Sequence, residues 1–168
     1  MILRPTAQAD LDGWAAMMAD EETSRYIGGL QGREQSWRGM ASMAGSWAIL
    51  GFGMFSMVDK QTGEWLGRAG PWQPEGWPGT EVGWGIRREA WGKGYALEAA
   101  TAAIDWAFDH LGWTQVIHCI DPGNVNSQKL AQRLGSTLLR QDHLPPPYHE
   151  LIIDVWGQSR EQWRSRKT

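Results

Sequence analysis

The chain has 168 residues, 42% of them apolar and 21% charged, which is typical of one soluble globular domain with a single sizeable core. A formal net charge of −3 gives no reason to expect nucleic-acid binding. The single cysteine, Cys119, excludes an internal disulfide bond. No apolar run approaches the roughly 20 residues of a membrane-spanning helix, and residues 1–5 lack a signal-peptide apolar region. We therefore predict a single domain over residues 1–168, in the cytoplasm and not bound to a membrane.

Tryptophan and glycine are unusually frequent for this length, with 12 and 21 residues. Tryptophan commonly builds cores and interfaces, whereas glycine marks places where the backbone bends or approaches another group closely. Together they favour a glycine-rich cleft with aromatic walls.

The first part of the chain predicts an edge strand, two helices and a hairpin. Residues 2–4 form the edge strand, which Pro5 ends. Thr6 is predicted to cap a helix, because apolar residues at helical spacing follow it; they are Leu11, Trp14, Ala15 and Met18. The other elements predicted here are a helix over 33–46, strands over 49–58 and 64–70, and a turn over 59–63.

The second part predicts strands that alternate with helices. The loop 71–79 carries three prolines and is expected to be rigid. The elements predicted after it are a strand over 81–86, a helix over 94–111, a strand over 115–120, a helix that Asn124 or Asn126 opens and Gly135 ends, strands over 137–140 and 151–156, and a short helix capped by Ser159. This order predicts a mixed α/β fold.

The segment from Ile86 to Leu97 has the features of an anion-binding turn. A strand ends near Arg87 and a helix begins near Gly94, and a helix N-terminus exposes unpaired N–H groups. Gly92 and Gly94 allow these groups to converge, and Lys93 adds positive charge. The ligand indicated is a phosphate or pyrophosphate. From the residues alone, a basic surface turn is an equally good interpretation. The Walker motif and the dinucleotide fingerprint are both absent.

Two motifs resemble the GNAT acetyltransferase superfamily. Its central motif, Gln/Arg-x-x-Gly-x-Gly/Ala at a strand-to-helix turn, is matched by Gly94 and Ala96, while Trp91 stands where Gln or Arg is usual. The family's Asn-x-x-Ser/Ala…Gly signature is matched by Asn124 and Ser127, with Gly135 eleven positions after Asn124. The variant Trp-Gly-Lys-Gly-Tyr-Ala is similar to the branch of ribosomal-protein N-terminal acetyltransferases.

The resemblance implies a GNAT-like fold that binds acetyl-CoA. The fold is a mixed, twisted sheet of about seven strands, splayed between the fourth and fifth strands and flanked by helices. Its fourth and fifth strands would be residues 82–87 and 115–120. The resemblance implies that the cofactor binds at Trp84, Gly85, Ile86, Trp91, Gly92, Lys93, Gly94, Tyr95, Ala96, Asn124 and Ser127. Close packing of the glycine-containing strand is an equal alternative to close approach of the ligand, and Asn124 can equally serve only as a helix cap.

The resemblance also suggests catalytic residues. Glu81 begins the cofactor strand and is the candidate base, with a solvated strand-end charge as the alternative. Many family members place a tyrosine acid where this chain has Ala131, so Ser127 becomes the candidate donor to the leaving thiolate. A serine that only satisfies backbone groups in the first helical turn is the alternative. Cys119 is interpreted as a buried small hydrophobe, although an acyl-cysteine mechanism stays open.

The acceptor is expected to be a primary amine, either a protein N-terminus or a small molecule. Trp72, Trp77 and Tyr148 are the candidate substrate-binding residues, and His149 is interpreted as a loop residue. Histidines without ligand spacing predict no metal site. We expect a monomer or homodimer without nucleic-acid partners. The alternative function is a non-catalytic acyl-CoA-binding or regulatory module of the same fold.

Overall fold

The computed structural model describes residues 1–166, which form one mixed sheet and its flanking helices. In chain order the elements are β1 (Ile2–Pro5), α1 (Leu11–Met18), α2 (Glu21–Ser24), α3 (Arg33–Leu50), β2 (Phe55–Val58), β3 (Trp65–Trp72), β4 (Glu81–Ile86), α4 (Tyr95–His110), β5 (Gln115–Ile120), α5 (Val125–Leu134), β6 (Thr137–His143), β7 (Ile152–Ser159) and α6 (Arg160–Ser165). Short 3-10 turns occupy Gln8–Asp10 and Arg88–Ala90.

The seven strands follow the order β1-β2-β3-β4-β5-β7-β6. The β4–β5 pair is parallel, whereas β1–β2, β2–β3, β5–β7 and β6–β7 are antiparallel. The predicted mixed seven-stranded sheet is therefore confirmed, and β1 is an edge strand as expected. Among residues 1–166, no helix has the length and apolar character needed to cross a membrane.

The chain divides into two compact units. The first unit comprises residues 1–70 and 84–100, and the second comprises residues 71–83 and those from 101 onward. Three elements, β3, β4 and α4, continue from one unit into the other. The single domain expected over residues 1–168 stays a prediction.

The first unit has an apolar core built from strands and the start of α4. Its buried members are Met57, Leu66, Ala69, Ile86, Ala90 and Ala99. The predicted helical stripe of α1 is largely buried, since Leu11, Trp14 and Met18 are all inside. Trp14 packs against Trp65 of β3 with ring centroids 5.8 Å apart. Helical spacing in α1 thus predicted three of its buried residues, whereas Ala15 is only half-buried and buried Met17 was not predicted.

Two predictions in the first unit are wrong. Thr6 does not cap a helix: the Asp10 carboxylate accepts the Ala7 N–H instead, at 2.8 Å, and the Thr6 hydroxyl has no hydrogen-bond partner within the described residues. The strand expected from residue 49 begins only at Phe55, because α3 continues to Leu50. Gly51 ends α3 in the left-handed conformation, with φ of 76°.

The second unit follows the sequence prediction closely. β5 has the expected bounds. Asn124 caps α5, and Gly135, with φ of 87°, ends it. Ser159 caps α6, because its hydroxyl oxygen accepts a hydrogen bond from the Gln162 N–H. The side-chain oxygen of Gln162 in turn accepts one from the Ser159 N–H. β6 and β7 are each longer than expected.

The parallel pairing of β4 with β5 consists of one register pair, Glu81 with Ile117. Beyond it, side chains take the place of backbone partners. The Glu81 carboxylate accepts the Cys119 N–H at 2.9 Å, and Nδ1 of His118 donates to the Val82 carbonyl at 2.6 Å. The predicted opening between the fourth and fifth strands is confirmed, and these two side chains satisfy backbone groups that a regular ladder would pair.

Candidate active site

The turn before α4 is built on two glycines in left-handed backbone. Gly92 has φ of 72° and Gly94 has φ of 82°. A Cβ at either position would find no atom within 4 Å. These glycines are therefore required for backbone conformation and leave open space beside the turn.

The N-terminus of α4 provides the donors expected of an anion site. Its first backbone hydrogen bond runs from the Glu98 N–H to the Gly94 carbonyl at 3.1 Å. The N–H groups of Tyr95, Ala96 and Leu97 precede that bond and have no intrahelical acceptor. With the partial positive charge of the helix end, they suit a phosphate.

Trp91 forms two hydrogen bonds with the backbone that precedes the turn. Its indole N–H donates to the Ile86 carbonyl at 2.7 Å, and its backbone N–H donates to the Arg88 carbonyl at 3.0 Å. The backbone N–H is therefore already engaged. Trp91 is 43% exposed, and we expect it to contact a ligand through its ring.

The cations near the turn differ in their partners. Arg87 pairs with Glu64 and Glu89, and Arg88 pairs with Asp20 and Glu22. These ion pairs raise the pKa of the Arg88 guanidinium, through its hydrogen bond to Asp20 first. Exposed Lys93 forms no ion pair within the part of the chain that the structure describes. Its ammonium is thus the cation available to a ligand at this turn.

The Tyr95 side chain is directed to the protein. Its ring packs against the core of the first unit, and its hydroxyl lies 3.4 Å from Oδ2 of Asp59. Burial, followed by the negative charge of Asp59, raises the pKa of Tyr95. Ala96 is half-buried and packs against the same core. The groups of Tyr95 and Ala96 that can contact a ligand are therefore their backbone groups.

The second half of β4 lies in the first unit and contains Trp84, Gly85 and Ile86. Trp84 is half-buried against the core, and Gly85 and Ile86 are buried. The steric need for glycine is sharpest at Gly67 of β3, where a Cβ would lie 2.4 Å from the Gly85 carbonyl oxygen. A Cβ on Gly85 itself would meet Ile27 at an ordinary 3.4 Å. For Gly83 and Gly85 the sequence left close ligand approach and close packing as equal alternatives, and Gly67 was not predicted to pack closely.

Glu81 is a buried carboxylate in the second unit, with 5% of its surface exposed. Oε1 accepts the Cys119 N–H at 2.9 Å, and Oε2 accepts the Trp77 indole N–H at 2.5 Å. The alternative of a solvated strand-end charge is therefore wrong. Both partners are N–H donors, so the carboxylate oxygens are the acceptors in this arrangement.

Cys119 is poorly suited to nucleophilic chemistry. Burial raises the pKa of its thiol well above the ordinary value, and the adjacent Glu81 charge raises it further. The thiolate needed for an acyl-cysteine mechanism is thus disfavoured. The residue is half-buried, which corrects the interpretation of Cys119 as a buried small hydrophobe.

The start of α5 brings Asn124 and Ser127 together. Oδ1 of Asn124 accepts the Ser127 N–H at 3.1 Å, so Asn124 is a helix cap. Its amide NH₂ group remains the end of the side chain that can donate to a ligand. Ser127 is half-buried, and Ala131, one turn later, is fully buried.

The three candidate acceptor residues lie in the second unit. Trp72 and Trp77 pack edge to face with centroids 6.4 Å apart. Tyr148 is exposed in the loop after β6, where its N–H donates to the Pro145 carbonyl. His149 is exposed in the same loop and its carbonyl contacts Nδ1 of His143.

The sequence of residues 1–137 matches the family model described as an acetyltransferase (GNAT) domain. The chain belongs to the GNAT acetyltransferase family. The family transfers acetyl groups from acetyl-CoA, and the resemblance inferred from the sequence motifs is confirmed.

Other GNAT proteins share both sequence and fold with this chain. An N-acetyltransferase of Bacillus licheniformis, p20, whose function is uncharacterised, is 29% identical over 162 residues, spanning 93% of this chain and 89% of the relative. The crystal structure of an acetyltransferase from Agrobacterium tumefaciens is 30% identical, with a TM-score of 0.80 over 94% of this chain and 90% of that one. A Vibrio cholerae protein described as a ribosomal-protein-serine acetyltransferase has the same fold, with 20% identity and a TM-score of 0.76 over 94% and 92% of the two chains.

The residues of the turn fit the pyrophosphate of the acetyl-CoA that GNAT proteins bind. The Gly92–Gly94 backbone leaves open space, the α4 N-terminus presents N–H groups, and Lys93 supplies charge. Within residues 1–166, no group of three or more His, Cys, Asp or Glu side chains is arranged to hold a metal ion.

His118 is a buried polar residue beside the candidate base, and its hydrogen bonds were not predicted from the sequence. It is 1% exposed and lies between two hydrogen-bond partners, the Val82 carbonyl and the Ser136 hydroxyl. Gln158 donates to the same hydroxyl at 2.9 Å and to the Leu134 carbonyl. Burial lowers the pKa of His118 to about 4, so the ring is neutral at pH 7. Its position inside an otherwise apolar strand pattern was the only signal in the sequence.

Proposed function

We propose that this protein transfers an acetyl group from acetyl-CoA to a primary amine by direct attack within a ternary complex. The observation that carries the proposal is the Glu81 carboxylate, buried and held by two donors at the start of the strand that leads to the GNAT cofactor turn. Such a carboxylate is a suitable acceptor for the proton that an alkylammonium must lose.

The backbone and side chains of the first unit would hold the cofactor. The turn from Gly92 to Ala96 would bind the pyrophosphate through backbone N–H groups and the Lys93 ammonium. The backbone of residues 84–86 would bind the pantetheine arm as if it were an additional strand. A backbone N–H of this strand would donate to the thioester carbonyl oxygen and stabilise negative charge on it. When bound, acetyl-CoA supplies an activated thioester.

Glu81 would remove a proton from the incoming ammonium, directly or through a water molecule. The free amine then forms the nitrogen–carbon bond to the acetyl carbonyl carbon, and the carbon–sulfur bond breaks with its electron pair on sulfur. One of the two protons lost by the nitrogen ends on the CoA thiol and the other reaches solvent. Glu81 would accept this proton on a carboxylate oxygen.

Ser127 would assist departure of the thiolate by donating its hydroxyl proton or a hydrogen bond to sulfur. Its N–H is fixed by the Asn124 cap, which holds the start of α5 in place. Asn124 would contact the pantetheine arm through its NH₂ group. Fully buried Ala131 supplies no hydroxyl, so the hydroxyl of α5 is that of Ser127.

The acceptor would be a protein N-terminus or a small amine bound beside Trp72, Trp77 and Tyr148. The edge-to-face tryptophan pair offers apolar surface next to the Glu81 carboxylate, which Trp77 contacts directly. Aromatic walls beside a single buried carboxylate suit a singly charged amine with an apolar neighbour.

The test is release of free CoA from acetyl-CoA in the presence of a panel of amines, which includes peptides with different N-terminal residues, amino acids, polyamines and aminoglycosides. We expect turnover with at least one primary amine and none with its N-acetylated form. Glu81→Gln should lower kcat at least 10-fold with little change in the KM for acetyl-CoA. Equal turnover by Glu81→Gln would remove Glu81 as the base.

A non-catalytic acyl-CoA-binding module is the second candidate function. Alanine at the position where many relatives carry a tyrosine acid favours it, because the α5 helix then lacks that group. Calorimetric binding of acetyl-CoA with no acetylation of any amine in the panel would support this module over the enzyme. Residence in the cytoplasm and a monomeric or homodimeric state stay predictions.

A further inference from the structure

The side chain of Trp77 connects the loop between β3 and β4 to the candidate base. Its indole N–H donates to Oε2 of Glu81 at 2.5 Å, while the backbone N–H of Cys119 donates to Oε1 at 2.9 Å. One donor therefore comes from a strand, and the other comes from a side chain on a loop. The Cys119 N–H belongs to the sheet backbone and cannot be removed by a side-chain substitution. The Trp77 indole N–H is the donor that a substitution can remove.

The loop is anchored on both sides of Trp77. Arg140 donates to the Pro78 carbonyl at 3.1 Å, and the Thr80 hydroxyl donates to the Gln115 carbonyl at 2.7 Å. A Cβ on Gly76 would lie 3.3 Å from Pro145, so this residue also packs closely. These contacts hold the Trp77 backbone without any contribution from its indole N–H. A substitution that removes only the indole N–H should consequently leave the loop in place.

We propose that Trp77 is a positioning residue that orients the Glu81 carboxylate for proton transfer from the acceptor amine. This role rests on the proposed function and adds to it. Glu81 has three rotatable side-chain bonds, and a carboxylate held at both oxygens is restricted to one orientation. In that orientation a carboxylate oxygen would accept the proton of the ammonium or of an intervening water.

The proton balance of the step is simple. The ammonium nitrogen loses one proton, a Glu81 oxygen gains it, and the Trp77 N–H bond stays intact throughout. Trp77 therefore acts through Glu81 and exchanges no proton itself. Its removal should slow the step that consumes the amine and leave acetyl-CoA binding unchanged, because the cofactor turn is formed by other residues.

The experiment is a double-mutant cycle with Trp77→Phe and Glu81→Gln in the full chain. Phenylalanine keeps an aromatic ring and lacks the N–H. We expect Trp77→Phe to lower kcat about 10-fold, with the KM for acetyl-CoA unchanged and the KM for the amine raised less than kcat falls. In the Glu81→Gln background the same substitution should change kcat less than about 2-fold, because the group it orients is already gone.

Trp163→Phe is the matched control. The Trp163 indole N–H also donates to a carboxylate, Oδ1 of Asp105, at 2.7 Å, and neither residue belongs to the proposed site. This variant should lose a similar bond and keep kcat and both KM values.

The outcomes separate the two proposals. Multiplicative effects of Trp77→Phe and Glu81→Gln on kcat, or an unchanged kcat in Trp77→Phe, would overturn the role of Trp77 while acetyl transfer stands. Absence of turnover by the unsubstituted protein with every amine would overturn both. If Trp163→Phe lowers kcat as much as Trp77→Phe does, the loss reflects general destabilisation of the protein, and the role of Trp77 is overturned.

Discussion

Nδ1 of His118 lies 2.6 Å from the Val82 carbonyl oxygen, so a histidine ring bonds to the backbone of β4 next to Glu81. A carbonyl can only accept, so Nδ1 carries the proton and Nε2 accepts from the Ser136 hydroxyl, 3.0 Å away. Protonation of Nε2 would remove that acceptor and charge a ring that is 1% exposed. The neutral ring is therefore part of the folded structure at the opening of the sheet.

We expect His118 to make the protein less stable as the pH falls from about 6.5 to about 4. Burial lowers the pKa of His118 to about 4 from the ordinary 6.5. In this window the unfolded chain binds a proton that the folded protein does not. The free energy of unfolding therefore decreases as the pH is lowered, by on the order of 3 kcal/mol in total. Below about pH 4 this contribution changes no further.

Denaturant unfolding at several pH values measures the effect. His118→Asn keeps a side-chain donor near the Val82 carbonyl and cannot titrate, so its stability should change less between pH 6.5 and pH 4 than that of the unsubstituted protein. His110→Asn is the control, because His110 is exposed. Parallel curves for the His118→Asn variant and the unsubstituted protein would contradict the prediction.

Alanine substitutions at two glycines of similar conformation, one before α4 and one after it, should have different effects on CoA binding. Gly94, with φ of 82°, and Gly112, with φ of 67°, both have open space where a Cβ would be. Alanine at either position should cost roughly 1 kcal/mol of stability, because a side chain in the left-handed conformation is strained. Only Gly94→Ala should weaken CoA binding, about 10-fold or more, because it distorts the turn and places a methyl group in the ligand space.

Calorimetric titration with CoA distinguishes the two variants. The Gly112→Ala protein should bind CoA as the unsubstituted protein does. Equal dissociation constants for both variants would remove the Gly92–Gly94 turn from the cofactor site.

Local sequence patterns were enough to predict several local features of the candidate site. Glycines with positive φ, the Asn124 cap and the strand that begins at Glu81 each depend on neighbouring residues, and their positions agree with the structure. The partners of Glu81 and His118 could not be predicted in the same way. Cys119 and Val82 contact their partners through the pairing of two strands that are far apart in sequence, whereas Trp77 reaches Glu81 from the preceding loop through a fold of that loop that the sequence pattern does not specify. Local patterns carry no information on such contacts.

The errors in the fold have a similar cause. Ile49 and Leu50 resemble the start of a strand because they are apolar, yet they end α3 with their side chains exposed, 81% in the case of Ile49. The Gly51 C-cap was the local signal for the end of that helix. Thr6 has the residue type of a helix cap, but the Asp10 carboxylate takes that role because Arg4 and Ser56 also fix it in place.

Ser127→Ala should slow acetyl transfer about 10- to 100-fold while the protein keeps its stability. The Ser127 N–H, which Asn124 accepts, is unaffected by loss of the hydroxyl, so α5 should still begin at the same residue. Ser127→Thr retains a hydroxyl and should recover part of the rate. The measurement is kcat with a saturating amine, together with the melting temperature of each variant. An alanine variant with the rate of the unsubstituted protein would leave Ser127 as a residue of the helix start only.

Two aspartates, two positions apart, should contribute very differently to stability. Asp10 is almost fully buried and accepts bonds from the Arg4 guanidinium at 2.6 and 2.9 Å and from the Ser56 hydroxyl at 2.7 Å. Asp12 pairs with Arg33 while its side chain is 86% exposed. Asp10→Asn removes the charge from a buried acceptor of several hydrogen bonds and leaves the partly exposed Arg4 guanidinium without its anion, so it should cost about 2 to 3 kcal/mol, whereas Asp12→Asn should change little.

The pH dependence of the Asp10 effect provides a second check. Burial alone would raise the pKa of Asp10, but the hydrogen bonds from Arg4, Ala7 and Ser56 outweigh it and hold the pKa below its ordinary value of 3.8. The folded protein therefore binds a proton at this site less readily than the unfolded chain, and the stabilisation is present above about pH 4 and is lost as the pH falls further. The stability difference between Asp10→Asn and the unsubstituted protein, measured by denaturant unfolding, should accordingly shrink from pH 7 to pH 3. A constant difference would show that asparagine is destabilising through its shape and not through the lost charge.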